Sequence, residues 1–132
     1  MRTGPGKAGQ DGERAQPGSE PNMTEPKDER YAIERRELIA ETPELRVQIL
    51  TLGHGQEVPW HHHTNVADTF ICLDGPMVVT TKGAEASHEL APGESCTVPP
   101  NTPHRVTGKN DGRCRFVIVQ GIGKYDYIPA AG

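Results

Sequence analysis

GQEVPWHHHTNVADTFICLDG, residues 55–75, is the most informative segment of the sequence. It begins and ends on glycine and carries three consecutive histidines, with an acid downstream. In an extended chain successive side chains alternate between faces, so His61 and His63 project to one side and His62 to the other. Two imidazoles therefore converge on one point, and His62 is predicted to point outward.

Asp68 is the acid that follows the histidines. After a short turn the chain would return as a second strand, with Asp68, Phe70 and Cys72 on one face. If that strand pairs with the first, Asp68 lies opposite the histidines, because facing residues on neighbouring strands are about 4.5–5.5 Å apart. Two imidazoles and a carboxylate suit a divalent transition metal.

A second stretch, residues 92–108, supplies a further histidine. It reads PGESCTVPPNTPHRVTG, in which His104 follows a proline-rich turn and begins an alternating apolar run. The candidate metal ligands are therefore His61, His63, Asp68 and His104.

The first stretch resembles the first motif of the cupin superfamily, G-x5-H-x-H-x(3,4)-E-x6-G. Gly55, His61, His63 and Gly75 stand at the motif's positions, and Asp68 occupies the glutamate position. Aspartate is shorter by one methylene, which reduces its reach by roughly 1.5 Å. Asp68 is therefore a direct ligand, a group that supports the ligands through hydrogen bonds, or a solvated acid at the end of its strand.

The second stretch resembles the second cupin motif, G-x5-P-x-G-x2-H-x3-N. Gly93, Pro99 and His104 match it. Asn101 replaces the motif's glycine, which is a mild change because asparagine tolerates positive φ better than other side chains do. Gly108 replaces an asparagine that is not normally a ligand.

The resemblance, over residues 36–120, implies an all-β jelly-roll barrel, the double-stranded β-helix, with a metal inside. Iron or manganese is the first expectation for the metal, with zinc, nickel and copper as alternatives. Without the resemblance, the strand pattern fits an immunoglobulin-like sandwich as well as a jelly roll.

Short strands separated by glycine- and proline-rich breaks are predicted along the chain from residue 36. No segment has the pattern of a long helix. The predicted strands are Arg36–Ala40, Glu44–Leu52, Glu57–Thr64, Asp68–Leu73, Met77–Thr81, Ala86–Leu90, Ser95–Val98, His104–Gly108 and Arg113–Gln120.

A wall of mostly apolar side chains is expected to line the barrel interior and exclude water. Cys72 is interpreted either as a small buried hydrophobe or as a thiolate beside the metal. Residues 125–127 are expected to fasten the tail across the barrel or a partner subunit. The predicted wall is Val47, Ile49, Phe70, Cys72, Val106 and part of Phe116–Val119.

Other polar residues are assigned to the surface. His54 is predicted to lie in a loop and His88 on a strand surface. Arg105, Arg113 and Arg115 form either an anion-binding edge or, as is more usual for alternating arginines, a solvated face.

Composition limits the class of protein. A chain of 132 residues with a net charge of −4 fits one domain, here residues 31–132, and has no basic patch for nucleic acid. No apolar run is long enough for a membrane span or a signal peptide. Three cysteines, an odd number, do not suggest a disulfide framework, so a cytoplasmic location is expected.

Residues 1–30 are rich in glycine, proline and charge and have almost nothing to bury, so we expect a disordered extension. Met23 is an alternative start, in which case residues 1–22 would not belong to the native protein.

The resemblance leaves three classes of function open. The leading hypothesis is a metal-dependent enzyme, an oxidoreductase of dioxygenase type acting on a small organic substrate in the barrel. The alternatives are a non-catalytic cupin that binds a metal or small ligand, and a metal-independent sugar isomerase or epimerase that uses histidine acid–base chemistry. A homodimer is expected, because uncovered sheet edges favour pairing.

Overall fold

A computed structural model of the chain describes residues 31–82 and 86–131. The predicted disorder of residues 1–30 falls outside the described residues. Among the residues described, no helix has the length and apolar character that crossing a membrane requires. The strands are β1 Arg35–Thr42, β2 Leu45–Leu52, β3 Glu57–His62, β4 Ala67–Asp74, β5 Met77–Thr81, β6 Ala86–Leu90, β7 Ser95–Val98, β8 His104–Gly108, β9 Cys114–Gly121 and β10 Ile128–Pro129.

The strands form two five-stranded antiparallel sheets. One has the order β1-β2-β9-β4-β7 and the other the order β10-β3-β8-β5-β6. Alternate residues of β4, β8 and β9 are buried, as expected of strands with one face toward a shared interior. The predicted jelly roll, an all-β double-stranded β-helix, is confirmed.

The nine predicted strands are all present, and their ends differ from prediction by no more than two residues. Glycine and proline in the breaks set these ends, because they disfavour continued pairing. The tenth strand, Ile128–Pro129, was not predicted, since two residues are too few to show an alternating pattern.

The prediction that Val47 and Ile49 line the interior is wrong. Both are half-buried on the outer face of the sheet, while Arg46 and Gln48 point inward and are 2% and 4% exposed. Leu50, which is also buried, has the same parity as Arg46 and Gln48. Because the side-chain period of a strand is two, burying the leucine end of β2 turns these two polar residues inward as well.

The rest of the predicted wall is buried. Cys72 is 1% exposed, and burial raises the pKa of its thiol. It packs as a small hydrophobe and is not among the side chains grouped around the candidate ligands. The buried apolar cluster comprises Leu50, Leu52, Val58, Phe70, Cys72, Met77, Val79, Leu90, Val98, Val106, Cys114, Phe116 and Ile118.

Gly108, where the cupin motif has asparagine, is required by a close backbone approach. A Cβ atom at this position would lie 1.8 Å from the carbonyl oxygen of Gly112. The turn after β8 therefore excludes every side chain at this position.

Candidate metal centre

His61 and His104 face each other across two paired strands. His61 on β3 is the register partner of His104 on β8, and their ring centroids lie 4.3 Å apart. His63 follows the end of β3, and its backbone carbonyl accepts a hydrogen bond of 2.7 Å from the amide of Asn101. Asn101 has φ of 63°, the left-handed conformation that its motif position predicts. All three imidazoles are buried, at 1–2% exposure.

Asp68 reaches the histidines from the opposite sheet. Its Oδ2 lies 2.9 Å from Nε2 of His63, 2.8 Å from Nε2 of His104 and 3.9 Å from Nε2 of His61. The hairpin predicted between the histidine strand and the Asp68 strand is wrong, because β3 and β4 belong to different sheets. The shorter carboxylate reaches the site because it projects across the interior.

The outer nitrogen of each imidazole is held by a backbone carbonyl. Nδ1–H of His61 donates to the Pro59 carbonyl at 2.8 Å, and Nδ1–H of His104 donates to that of Thr102 at 2.8 Å. Nδ1–H of His63 donates to the carbonyl of Asp126. Because a carbonyl only accepts, each neutral ring carries its proton on Nδ1 and directs the lone pair of Nε2 inward.

The donor set fits a divalent transition metal. One ligand atom from each of His61, His63, Asp68 and His104 lies within 4.8 Å of the other three. At an octahedral centre with bonds of about 2.1 Å, neighbouring ligand atoms are about 3 Å apart. The contacts of Asp68 with His63 and His104, at 2.9 and 2.8 Å, match that spacing.

Charge balance supports the same fit. Nε2 of His63 and of His104 both face Oδ2 of Asp68, which only accepts hydrogen bonds. With no cation among them, both rings need a second proton, and two imidazolium ions would then be buried beside one carboxylate. A divalent metal supplies the positive charge without those protons.

Burial and neighbouring charges shift the pKa values of Asp68, His61 and His63. Burial opposes ionisation of Asp68, but the hydrogen bonds from His104 and His63, with the His61 ring close by, outweigh it and hold the carboxyl pKa well below its usual range. Burial lowers the pKa of His61. For His63 the hydrogen bond and charge of Asp68 outweigh burial, so its pKa is raised.

Gln120, which the sequence did not single out, holds the far side of Asp68. Its Nε2 donates to Asp68 Oδ1 at 3.1 Å, and both side chains are buried. Its inward position follows from the alternation of β9, in which Phe116, Ile118 and Gln120 share a face. The sequence signal for this inward position was a glutamine at the end of a strand whose apolar residues alternate.

The C-terminal tail covers the cluster. The Tyr127 ring stacks on His61 with centroids 4.5 Å apart, and the Tyr125 ring lies 5.2 Å from that of His63. The Asp126 carboxylate accepts a hydrogen bond of 2.9 Å from the Thr64 amide. This agrees with the prediction that residues 125–127 fasten the tail across the barrel, and it adds direct contact with the candidate ligands.

The side chains assigned to the surface lie outside this cluster. His54 and His88 are exposed, and His62 points away from the histidine pair and is half-buried.

The three arginines are ion-paired and partly exposed, but Arg105 lies on β8 and Arg115 on β9, in different sheets, so they do not form one edge or face. Arg105 pairs with Glu57, Arg113 with Glu34 and Arg115 with Glu37.

A cupin-domain family model matches residues 48–120 of the chain. No protein of curated function matches the sequence significantly.

Many solved structures share the fold. An uncharacterized conserved protein with a double-stranded beta-helix domain from Klebsiella pneumoniae is 22% identical, with a TM-score of 0.64, covering 74% of this chain and 80% of its own. KdgF from a Halomonas species is 19% identical, with a TM-score of 0.59, and the match covers 67% of this chain and 78% of KdgF. An oxalate oxidase is 14% identical, with a TM-score of 0.59, covering 66% of this chain and 46% of its own. At these identities the likeness shows the fold alone.

Proposed function

The chain belongs to the cupin-domain family, and from that premise we propose that it is a small metal-dependent enzyme of dioxygenase type. Its ligands would be His61, His63, Asp68 and His104, its metal iron or manganese, and its substrate a small organic molecule held inside the barrel. Zinc, nickel and copper are the alternative metals. A structural relative that is an oxalate oxidase supports an enzymatic role without fixing the reaction.

The observation that carries the proposal is the convergence of three Nε2 atoms and a carboxylate in a buried site. When bound, a metal at such a site supplies Lewis-acid or redox chemistry at the coordination positions that the protein leaves open. The backbone carbonyls orient the imidazoles. The packing of Phe70 and Val106, both buried, keeps bulk water away from the site.

Metal content and turnover test the proposal directly. The purified protein is analysed for metals, then loaded with Fe(II), Mn(II), Ni(II), Cu(II) or Zn(II), and oxygen uptake is followed over phenols, diketones, thiols and hydroxycarboxylic acids. We expect stoichiometric metal and uptake with at least one substrate class. His61→Ala should abolish both, whereas His62→Ala, on the outward face, should change neither.

Two results would contradict the enzyme proposal. Stoichiometric metal without turnover would favour a protein that binds a metal or ligand without catalysis. Uptake that survives His61→Ala would place the reaction elsewhere.

The contacts of Asp68 also support a second candidate, a metal-independent isomerase or epimerase. The distances of 2.9 and 2.8 Å from Asp68 to His63 and His104 are hydrogen-bond lengths, which a charged acid–base pair would show without a metal. Purified protein without stoichiometric metal, but with metal-independent isomerisation of a sugar, would favour this candidate.

The cytoplasmic location and the homodimer stay predictions. The assignment of residues 31–132 as the single cupin domain and of residues 1–30 as a disordered extension is likewise still a prediction.

A further inference from the structure

One wall of the barrel interior is polar where it adjoins the metal centre. Arg46 on β2 is the register partner of Gln120 on β9, and Gln120 is in turn the partner of Asp68 on β4. Gln48 is the next inward residue of β2. Neighbouring strands lie about 4.8 Å apart, so the backbone of Arg46 is about 10 Å from that of Asp68. We call Arg46, Gln48 and Gln120 the polar wall.

The amide of Gln120 has a defined orientation. Its Nε2 donates to Oδ1 of Asp68 at 3.1 Å, so its Oε1 must point away from the carboxylate. That oxygen is buried and has no hydrogen-bond partner among the described residues. Oε1 of Gln48 is also buried without a described partner, and each glutamine is only 4% exposed.

Gln48 and Gln120 lie on adjacent strands of one wall, and two buried amide oxygens with no donor among the described residues are unusual in a folded protein. Each is an acceptor only, and the group that satisfies it must bring a hydrogen. A ligand hydroxyl group has the required chemistry.

Arg46 adds a buried positive charge to the same wall. Its guanidinium carbon lies 4.5 Å from the ring centroid of Tyr125, and that ring is 5.2 Å from the ring of His63. The charge is thus held at the same end of the barrel as the metal centre. A guanidinium group is well suited to bind a carboxylate.

We propose that the polar wall binds a small hydroxycarboxylic acid, its carboxylate on Arg46 and its hydroxyl protons donated to Gln48 and Gln120. The assignment rests on the proposed function, because it names the substrate class for the same interior. Binding of the acid can be measured without turnover, so the ligand assignment and the proposed enzymatic function can be tested separately.

Calorimetric titration with chosen acids tests the assignment. Lactate and tartrate are compared with propionate and succinate, which lack the hydroxyl groups, and with glycerol, which lacks the carboxylate. Each is titrated into metal-loaded protein and into protein freed of metal. We expect the hydroxy acids to bind roughly tenfold tighter than the deoxy acids in both forms, and glycerol not to bind. Equal affinity for the hydroxy and deoxy acids, or no binding of any acid, would overturn the proposal.

Variants of the wall separate binding from folding. Arg46→Met should weaken the binding of every acid by roughly tenfold or more. Arg115→Met, at a half-exposed arginine of β9, should leave the affinity for each acid unchanged. Gln48→Leu should remove the preference for hydroxy acids and also raise the thermal midpoint, because it deletes a buried acceptor that lacks a donor. If Gln48→Leu lowers the thermal midpoint and still binds hydroxy acids more tightly than deoxy acids, the assignment is contradicted.

The two proposals fail differently. Acids that bind with the expected preference but are not turned over with any metal would remove the dioxygenase and leave the polar wall as a ligand site. If the protein turns over substrates that lack a carboxylate, and Arg46→Met does not change that turnover, the polar wall does not bind the substrate. The proposal that the protein is an enzyme would then still stand.

Discussion

Asp68 was the candidate ligand whose role the sequence left open, and its position explains how its shorter side chain reaches the histidines. It projects from the opposite sheet, so its carboxylate reaches between His63 and His104. The identity of the four candidate ligands could be predicted from two motifs with fixed spacing. The inward position of Gln120 could be inferred from the alternation of β9, but its contact with Asp68 could not, because the two residues are 52 positions apart in the sequence.

Neutralising Asp68 tests its part in holding the metal. Asp68→Asn keeps the shape of the side chain but removes the charge, so we expect metal affinity to fall by at least about tenfold. Competition with a chromogenic chelator measures it. Asp74→Asn, an exposed acid on the same strand, is the matched control and should bind as the wild type does. Equal affinity in the two variants would show that Asp68 is not part of the centre.

Acid should release the metal. A protonated imidazole cannot ligate, and the raised pKa of His63 means that protons begin to compete above its ordinary value of about 6.5. In metal-free protein the raised pKa has the opposite effect, because its stabilisation is complete at low pH and is lost as the pH rises through the folded-state pKa.

The difference in thermal midpoint between metal-loaded and metal-free protein should therefore be large near pH 8 and narrow steadily toward pH 5, on either side of the imidazole's ordinary pKa of about 6.5. Scanning calorimetry of both forms over that range checks this. A difference that stays constant down to about pH 4.5, well below that ordinary value, would be inconsistent with histidine ligation.

At the scale of elements, the strands could be predicted almost completely but their pairing could not. Alternation and turn residues are local, whereas the assignment of β3 and β4 to different sheets depends on contacts along the whole chain. The face of β2 was predicted wrongly because Val47 and Ile49 look like core residues when the strand is taken alone. The two-residue strand β10 left no pattern at all.

The tail segment that includes β10 should slow metal loss. Tyr127 stacks on His61 at an interplanar angle of 13°, so Tyr127→Ala should expose that ring and speed release of the metal to excess chelator. Tyr127→Phe keeps the stacked ring and should release at the wild-type rate. If the alanine variant is no faster than the phenylalanine variant, the tail does not protect the site.

At the scale of the whole molecule, the outer face of the sheet β1-β2-β9-β4-β7 carries an apolar patch. Val47 is in register with Val119, and Ile49 with Val117, which is in register with Ile71 on β4. All five are half-buried. Exposed apolar patches of this kind are typical of interaction sites, so this patch favours association through the outer face.

The predicted homodimer should therefore depend on the outer face of that sheet. Val117→Glu places a charge at its centre and should convert a dimer to a monomer, as measured by light scattering after size-exclusion chromatography. Thr80→Glu, on the other sheet, is the control and should remain dimeric. A wild-type monomer at micromolar concentration, or a Val117→Glu dimer, would refute this assignment.

The central claim is that one divalent metal binds among His61, His63, Asp68 and His104. Anomalous diffraction from crystals of the metal-loaded protein, recorded at the absorption edge of the metal, tests it most directly. We expect a single strong peak within about 2.3 Å of the three Nε2 atoms and of one carboxylate oxygen. A peak elsewhere, or none at the centre of the four side chains, would contradict it.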